Sequence, residues 1–227
     1  MCNCDYYCFL YKAEMESRQI KKTWNLLRFW GGFYFLFLLF LASGCTNSFK
    51  RGETSDLLPG DLLFHVVSEG NAITEVTPGM IDHVAILISA DSVLEAVPRG
   101  GVQITPVDSL KVQEGHWMQA RVDNADVVQS IANARRYLGL PYDSLYLADN
   151  DAIYCSELVQ VAYVDRQGRR LFQPIPMSFH DDSGMILPYW TDFYQRNGMT
   201  VPEGQPGTNP GELSQRPAVR ILGQNEN

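Results

Sequence analysis

Residues 151–159 read Asp151-Ala152-Ile153-Tyr154-Cys155-Ser156-Glu157-Leu158-Val159, and an apolar run continues to Val164. A polar cluster that ends at a cysteine, followed by a run apolar on nearly every face, predicts a buried helix starting at or just before Cys155. A thiol in the first turn of such a helix lies near unpaired backbone N–H groups and the positive end of the helix dipole. Both favour the thiolate, which is the nucleophilic form. The other role for this residue is a small buried hydrophobe, the commoner fate of a free cysteine. On this stretch alone the packing role ranks ahead of the chemical one.

The chain's 227 residues, 45% of them hydrophobic, suffice for one domain with a sizeable core. The first 44 residues are read as lying outside it. Gly31–Leu41 is an uncharged apolar run preceded by Arg18, Lys21, Lys22 and Arg28 and closed by Ala42-Ser43-Gly44-Cys45. A basic segment, an apolar segment and small residues in that order predict a secretory signal. The run is short for a membrane span, which takes about 20 apolar residues. Met15 would open a signal of ordinary length and is read as the true start, with residues 1–14 as a leader. Ala-Ser-Gly-Cys resembles a bacterial lipoprotein lipobox, with Ala42 where leucine is more usual. That resemblance implies cleavage before Cys45, lipidation of Cys45, and a short tether over residues 45–56. The mature protein would then be anchored in the bacterial cell envelope, on the periplasmic side or the cell surface. An uncleaved signal anchor is the alternative, and it leaves the small residues and the cysteine without a role.

Processing would change the cysteine count and the charge. Cys2, Cys4 and Cys8 precede the signal and Cys45 would carry lipid, so Cys155 is the only free thiol left. In a compartment where disulfides form, a thiol with no partner in its own chain is a candidate nucleophile, provided a histidine stands near it in space. Removing residues 1–44 takes away five Lys/Arg and three Asp/Glu. That leaves 13 basic and 23 acidic residues and a net charge of −10. This balance argues against nucleic acid as the main partner.

Residues 57–227 read as one domain without internal repeats. Strands are predicted at 62–67, 81–89, 92–97, 102–107 and 116–122, with a short helix at 108–112. Asp126 is placed to cap a helix over 127–138 whose apolar face is Val127, Val128, Ile131, Ala134 and Leu138; Gly139 and Pro141 end it. The Cys155 helix is expected to run to Gln167-Gly168. A partly helical, aromatic stretch follows at 185–196, then a Pro/Gly-rich tail and a last strand at 218–222. A block of strands followed by helices predicts an antiparallel α+β domain.

Four histidines could serve Cys155: His65, His83, His116 and His180. His83 heads a strand, in Asp82-His83-Val84-Ala85-Ile86, where a ring is held rigidly at a sheet rim; a ring packed on the sheet is the alternative. His65 lies mid-strand and His180 in a polar loop, and either could simply be exposed. Asp61 and Asp82 are read as turn and capping residues, and Glu157 as an acid complementing the helix dipole. No His, Cys and acid cluster has metal-ligand spacing, and no Gly-rich phosphate loop is present, so neither metal nor cofactor is expected.

Pro59-Gly60-Asp61-Leu62-Leu63-Phe64, then Asp82-His83-Val84-Ala85-Ile86-Leu87-Ile88, then Val93-Leu94-Glu95-Ala96, then Tyr154-Cys155-Ser156-Glu157-Leu158-Val159 resemble the YiiX-type permuted papain-like cysteine hydrolases, a branch of the NlpC-type superfamily. Unpermuted members have the cysteine helix first; here it follows the histidine strand. The resemblance covers roughly residues 57 to 165. It implies a circularly permuted papain-like fold, an antiparallel sheet packed against the helix that carries the cysteine. It implies Cys155 as nucleophile, His83 as base and then acid, Glu95 as the group that orients the imidazole, and Tyr154 as a substrate-lining residue.

Strand geometry supplies a test of Glu95. A plain two-residue turn at Ala90-Asp91 pairs Ser89 with Ser92 and puts Glu95 on the face opposite His83. A wider turn or a bulge is needed to bring the two to one face. The reading is therefore a thiol hydrolase acting on an amide or peptide, such as a cell-wall peptide. Two alternatives stay open: a lipid-active acyltransferase or esterase of the same fold, marked by an apolar cleft without a charged anchor, and a non-catalytic binding lipoprotein. Oligomeric state is left open.

Overall fold

Each of the first three strands pairs antiparallel with the next, and short polar turns join the second to the third and the third to the fourth. The structure, a computed structural model, describes residues 56–225 apart from Val112 and Asp149; the leader, signal and lipidation expectations for residues 1–55 lie outside the described residues. The elements in chain order are β1 (Asp61–Val66), β2 (Ile81–Ser89), β3 (Ser92–Val97), β4 (Gly101–Pro106), α1 (Val107–Leu110), β5 (His116–Val122), α2 (Val127–Arg135) and α3 (Cys155–Ala162). They continue with β6 (Ile175–Pro176), α4 (Pro188–Arg196), β7 (Pro206–Gly207), α5 (Pro210–Ser214) and β8 (Val219–Asn225). Six strands form one antiparallel sheet in the order β4-β3-β2-β1-β5-β8, and β6 pairs with β7 apart from it. This is the α+β architecture expected from the order of strands and helices.

The sheet is buried on both faces, which is why its strands read as nearly continuous apolar runs. One set of alternating residues (Leu62, Phe64, Val84, Ile86, Leu94, Ala96) packs with Leu158, Val159 and Ala162 of α3. The intervening set (Leu63, Ala85, Leu87, Val93) packs with Leu110 and Trp117. A third cluster, Met177, Phe179, Leu187, Trp190 and Tyr194, belongs to the C-terminal third. The helix end is tied to the turn before β1 by Tyr163, whose hydroxyl donates to the Gly60 carbonyl at 2.8 Å. Gly60 has φ +87°, and a Cβ there would stand 2.6 Å from Cγ1 of Val127, so both backbone and packing require glycine.

Two helices are shorter than the periodicity predicts. Asp126 caps α2 as expected, accepting from the Gln129 amide at 3.0 Å, but the helix ends at Arg135. Val128 is 82% exposed and Leu138 is exposed too; the inward face is Val127, Ser130, Ile131 and Ala134, so a buried serine takes a place that pattern reading assigns to an apolar residue. The Cys155 helix is buried as expected, yet it stops at Ala162. Tyr163 turns to extended backbone, Val164 bridges Arg170, and the Asp165 carboxylate gathers the Gln167 and Arg169 amides at 2.9 Å each into a tight turn. The apolar run continues through that break because Tyr163 and Val164 stay buried as extended chain.

Candidate active site

The β2–β3 hairpin decides whether Glu95 can reach His83. It begins as a two-residue turn with Ser89 opposite Ser92, then shifts register so that Leu87 faces Val93 and Ile86 faces Leu94. Ile88 is the extra residue. Carried on, this register puts Glu95 opposite Ala85, two residues from His83 and on the same face. Nε2 of His83 lies 2.8 Å from Oε2 of Glu95. A plain hairpin would have separated them.

Cys155 is the first residue of α3 and is 4% exposed. It is the free cysteine among the described residues. No side chain caps the helix N-terminus, so the first-turn amides keep their donors near the sulfur. His83 stands between the thiol and Glu95. Burial opposes charge on its ring, but hydrogen bonds to Cys155 and Glu95 and the charges of both outweigh it, and the pKa is pushed up to about 10. Glu95 is 3% exposed. Burial favours its neutral form, yet the bond to His83, the charge of His83 and a bond from Thr105 hold its carboxyl below the ordinary range. An ionised Glu95 only accepts hydrogen bonds, so Nε2 of His83 donates to it and Nδ1 faces the sulfur.

A cleft opens at the cysteine, and three chain segments wall it together with Met177, Phe179 and Trp190. The first is the 68–80 loop, which contributes Ile73, Val76 and Thr77. Asn71 organises it: its Oδ1 accepts from the Ile73 and Thr74 amides, and its Nδ2 donates to Asp82 Oδ2 at 2.8 Å. The second is the 141–150 loop, gathered by the buried Asp143 carboxylate, which accepts from the Leu145 and Leu147 amides at 2.8 and 2.6 Å. It delivers Tyr142 and Tyr146 to the cleft, Tyr146 with a left-handed φ of +54° unusual for an aromatic residue. The third is the C-terminal tail, which supplies Thr208, Asn209 and Pro210. Its α5 docks so closely on the first loop that a Cβ at Gly211 would collide with the Pro78 carbonyl.

Tyr154 lines the cleft as the resemblance implied, but its hydroxyl is already engaged, accepting from the Thr208 amide at 3.1 Å. Burial, then the charge of Glu157, pushes its pKa above the usual tyrosine range. Tyr142, which sequence reading passes over as loop, is brought close to the thiol. Burial first, then Tyr146 and the charge of Cys155, drive its pKa well up, and its side chain hydrogen-bonds that of Tyr146. An aromatic cluster between a helix stop and a cysteine helix was the available signal; Thr208, in a Pro/Gly-rich tail, had none.

The other histidines are placed elsewhere. His65 is 8% exposed rather than open to solvent; its Nδ1 meets Asp82 Oδ1 at 2.8 Å and its Nε2 meets the Glu114 carbonyl at 2.6 Å. Asp82 is thus an ion-pair and cleft residue inside β2, not a cap. His180 pairs with Glu203 at 3.1 Å, and His116 opens β5.

A family model described as permuted papain-like amidase enzyme, YaeF/YiiX, C92 family, matches residues 56–223. The chain is 32% identical over 174 residues to the uncharacterized protein YiiX of Escherichia coli strain K12, covering 72% of this chain and 84% of that protein. Among solved structures it resembles metalloprotein yiiX from Escherichia coli O157:H7, with a TM-score of 0.61 and 23% identity over 76% of this chain and 99% of that one. That structure speaks for the fold alone. Its metal does not find an evident counterpart: among the described residues no group of three or more His, Cys, Asp or Glu side chains is arranged to hold an ion. Both nitrogens of His65 already face oxygen acceptors, and His83 is engaged on both sides. On the extent of the family match and the identity to its relative, this chain belongs to the permuted papain-like amidases of the YaeF/YiiX, C92 family.

Proposed function

We propose that the chain is a thiol amidase whose reacting group is Cys155. The observation that carries this reading is the Cys155–His83–Glu95 line, formed across a bulged hairpin and a helix N-terminus. With the thiol proton held on His83 Nδ1, the sulfur attacks the substrate carbonyl carbon. The oxyanion is met by the Cys155 backbone N–H and the Tyr142 hydroxyl. Collapse of the intermediate breaks the C–N bond. His83 returns its proton to the leaving amine, and the acyl group stays on sulfur as a thioester. Water then attacks the thioester with His83 as base, releasing the carboxylic acid and restoring the thiol. Glu95 keeps the ring oriented with Nδ1 toward the sulfur. The substrate proposed first is a small amide or peptide.

A second reading, acyl transfer or ester cleavage on a lipid-like substrate, is favoured by the cleft wall. Ile73, Val76, Met177, Phe179 and Trp190 line it with three tyrosines. Asp82 is the only charged side chain lining it among the described residues, and Asp82 is taken up by His65 and Asn71. A peptide terminus therefore finds no free counter-charge there.

The test is the rate of Cys155 alkylation by iodoacetamide against pH, in the wild type and in His83→Ala and Glu95→Gln. The wild type should stay reactive below about pH 7, where an ordinary thiol is mostly protonated. His83→Ala should lose that limb and Glu95→Gln should weaken it. Identical profiles in all three proteins would refute the pairing.

A further inference from the structure

The apolar wall of the cleft makes its unpaired polar atoms conspicuous. Thr208 is 5% exposed and Ser156 is fully buried; Thr208 Oγ1 and Ser156 Oγ have no hydrogen-bond partner. Both residues line the cleft together with Cys155. Buried hydroxyls are ordinarily paired, so each unpaired one calls for a partner from outside the chain.

Thr208 is also held in place. Its amide donates to the Tyr154 hydroxyl, the preceding Gly207 pairs with Ile175, and Asn209 caps α5 by accepting from the Glu212 amide at 2.7 Å. A Cβ at Gly207 would strike the Met177 side chain and stand 3.1 Å from the Tyr154 hydroxyl, so the strand approaches the cleft as closely as a bare backbone allows. Ser156 is fixed by its place in α3 beside the reacting thiol. The pair is therefore set before any ligand arrives, which is how a mostly apolar pocket uses a few polar groups to orient its ligand.

We propose that Thr208 and Ser156 form a hydrogen-bonding subsite that reads a neutral hydroxyl or amide on the substrate's otherwise apolar body. The inference rests on Cys155 as the reacting thiol and adds what the cleft selects. Neutral groups are specified because two hydroxyls cannot offset the desolvation of an ion in an apolar wall. The nearby carboxylate of Asp82 already has its donors.

The experiment compares N-alkyl chloroacetamides with their N-(ω-hydroxyalkyl) twins over a series of chain lengths. It measures the rate of S-alkylation of Cys155 in the full chain by mass spectrometry. The ratio of twin rates cancels any general change in thiol reactivity. At one chain length the hydroxyl probe should react about fivefold to tenfold faster than its twin. Thr208→Val should bring that ratio to unity, Ser156→Ala should lower it, and Thr208→Ser, which restores a hydroxyl, should keep it. A ratio of unity at every length in the wild type means the hydroxyls hold water only, and this overturns the subsite. A ratio that survives in Thr208→Val overturns it as well. Iodoacetamide rates indifferent to His83→Ala would instead overturn the amidase reading, leaving the subsite to be judged by the twin ratio.

Discussion

His65 and His83 face each other across β1 and β2, and each has a ring nitrogen 2.8 Å from a carboxylate oxygen. What differs is the second nitrogen. That of His65 meets the Glu114 carbonyl, an acceptor like Asp82, so both nitrogens must donate and the ring is an imidazolium. Burial resists that charge, but the bond to Asp82, its charge and the Glu114 carbonyl prevail and raise the pKa, with the charge of His83 opposing. The second nitrogen of His83 meets a thiol, which can give up its proton or keep it. A histidine–carboxylate pair is thus not in itself a base. It becomes one when its free nitrogen faces a group that can exchange a proton, and otherwise it is a strut. The strut here holds Asp82, and through Asn71 it holds the loop that walls the cleft.

The contrast can be broken most directly by moving the same substitution between the two sites. His83→Ala should slow neutral-pH alkylation of Cys155 by about 10²- to 10⁴-fold, the usual weight of a positioned base. His65→Ala should leave alkylation much closer to wild type. Comparable slowing in both would erase the distinction. Tyr142→Phe sharpens the chemical side. Acylation by p-nitrophenyl acetate passes through an oxyanion and alkylation by iodoacetamide does not. The ratio of the two rates should therefore fall by about 10²-fold; an unchanged ratio removes Tyr142 from the oxyanion site.

The structural side is read by urea unfolding. His65→Ala leaves Asp82 and the Glu114 carbonyl without their donor and should lower stability by about 2 kcal/mol. An unchanged unfolding midpoint in His65→Ala would contradict the strut. The smallest effect is on pH dependence. The folded pKa of His65 lies above its ordinary value of 6.5. Its contribution is therefore complete below 6.5 and is lost as pH rises through the raised value. The gap in unfolding midpoint between wild type and His65→Gln should narrow as pH rises above neutrality. A gap that widens would reverse the assigned sign.

Much of this was legible beforehand. The block of strands followed by helices marked an antiparallel α+β domain, and the run after Cys155 marked a buried helix. One thiol in the chain expected after processing narrowed the search for a nucleophile. The hairpin between His83 and Glu95 could be posed as a question of parity, and the answer required was a bulge. Helix ends were less legible, since buried chain stays apolar whether it is helical or extended, as at Tyr163 and Val164. Asp82 read as a cap because its neighbours in sequence suggest a turn, whereas its partners, His65 and Asn71, come from another strand and a loop.

The sequence by itself determined the local matters: which segments are apolar and where a helix can start. Periodicity and composition carry these because each depends on near neighbours. Only the tertiary structure decided which nitrogen of which histidine faces the sulfur, that Tyr142 comes up beside it, and that the Pro/Gly-rich tail brings the unpaired Thr208 hydroxyl into the cleft. Those depend on register shifts of one residue and on contacts between positions far apart in the chain, such as Gly211 against Pro78 and Thr208 against Tyr154. No local pattern encodes them.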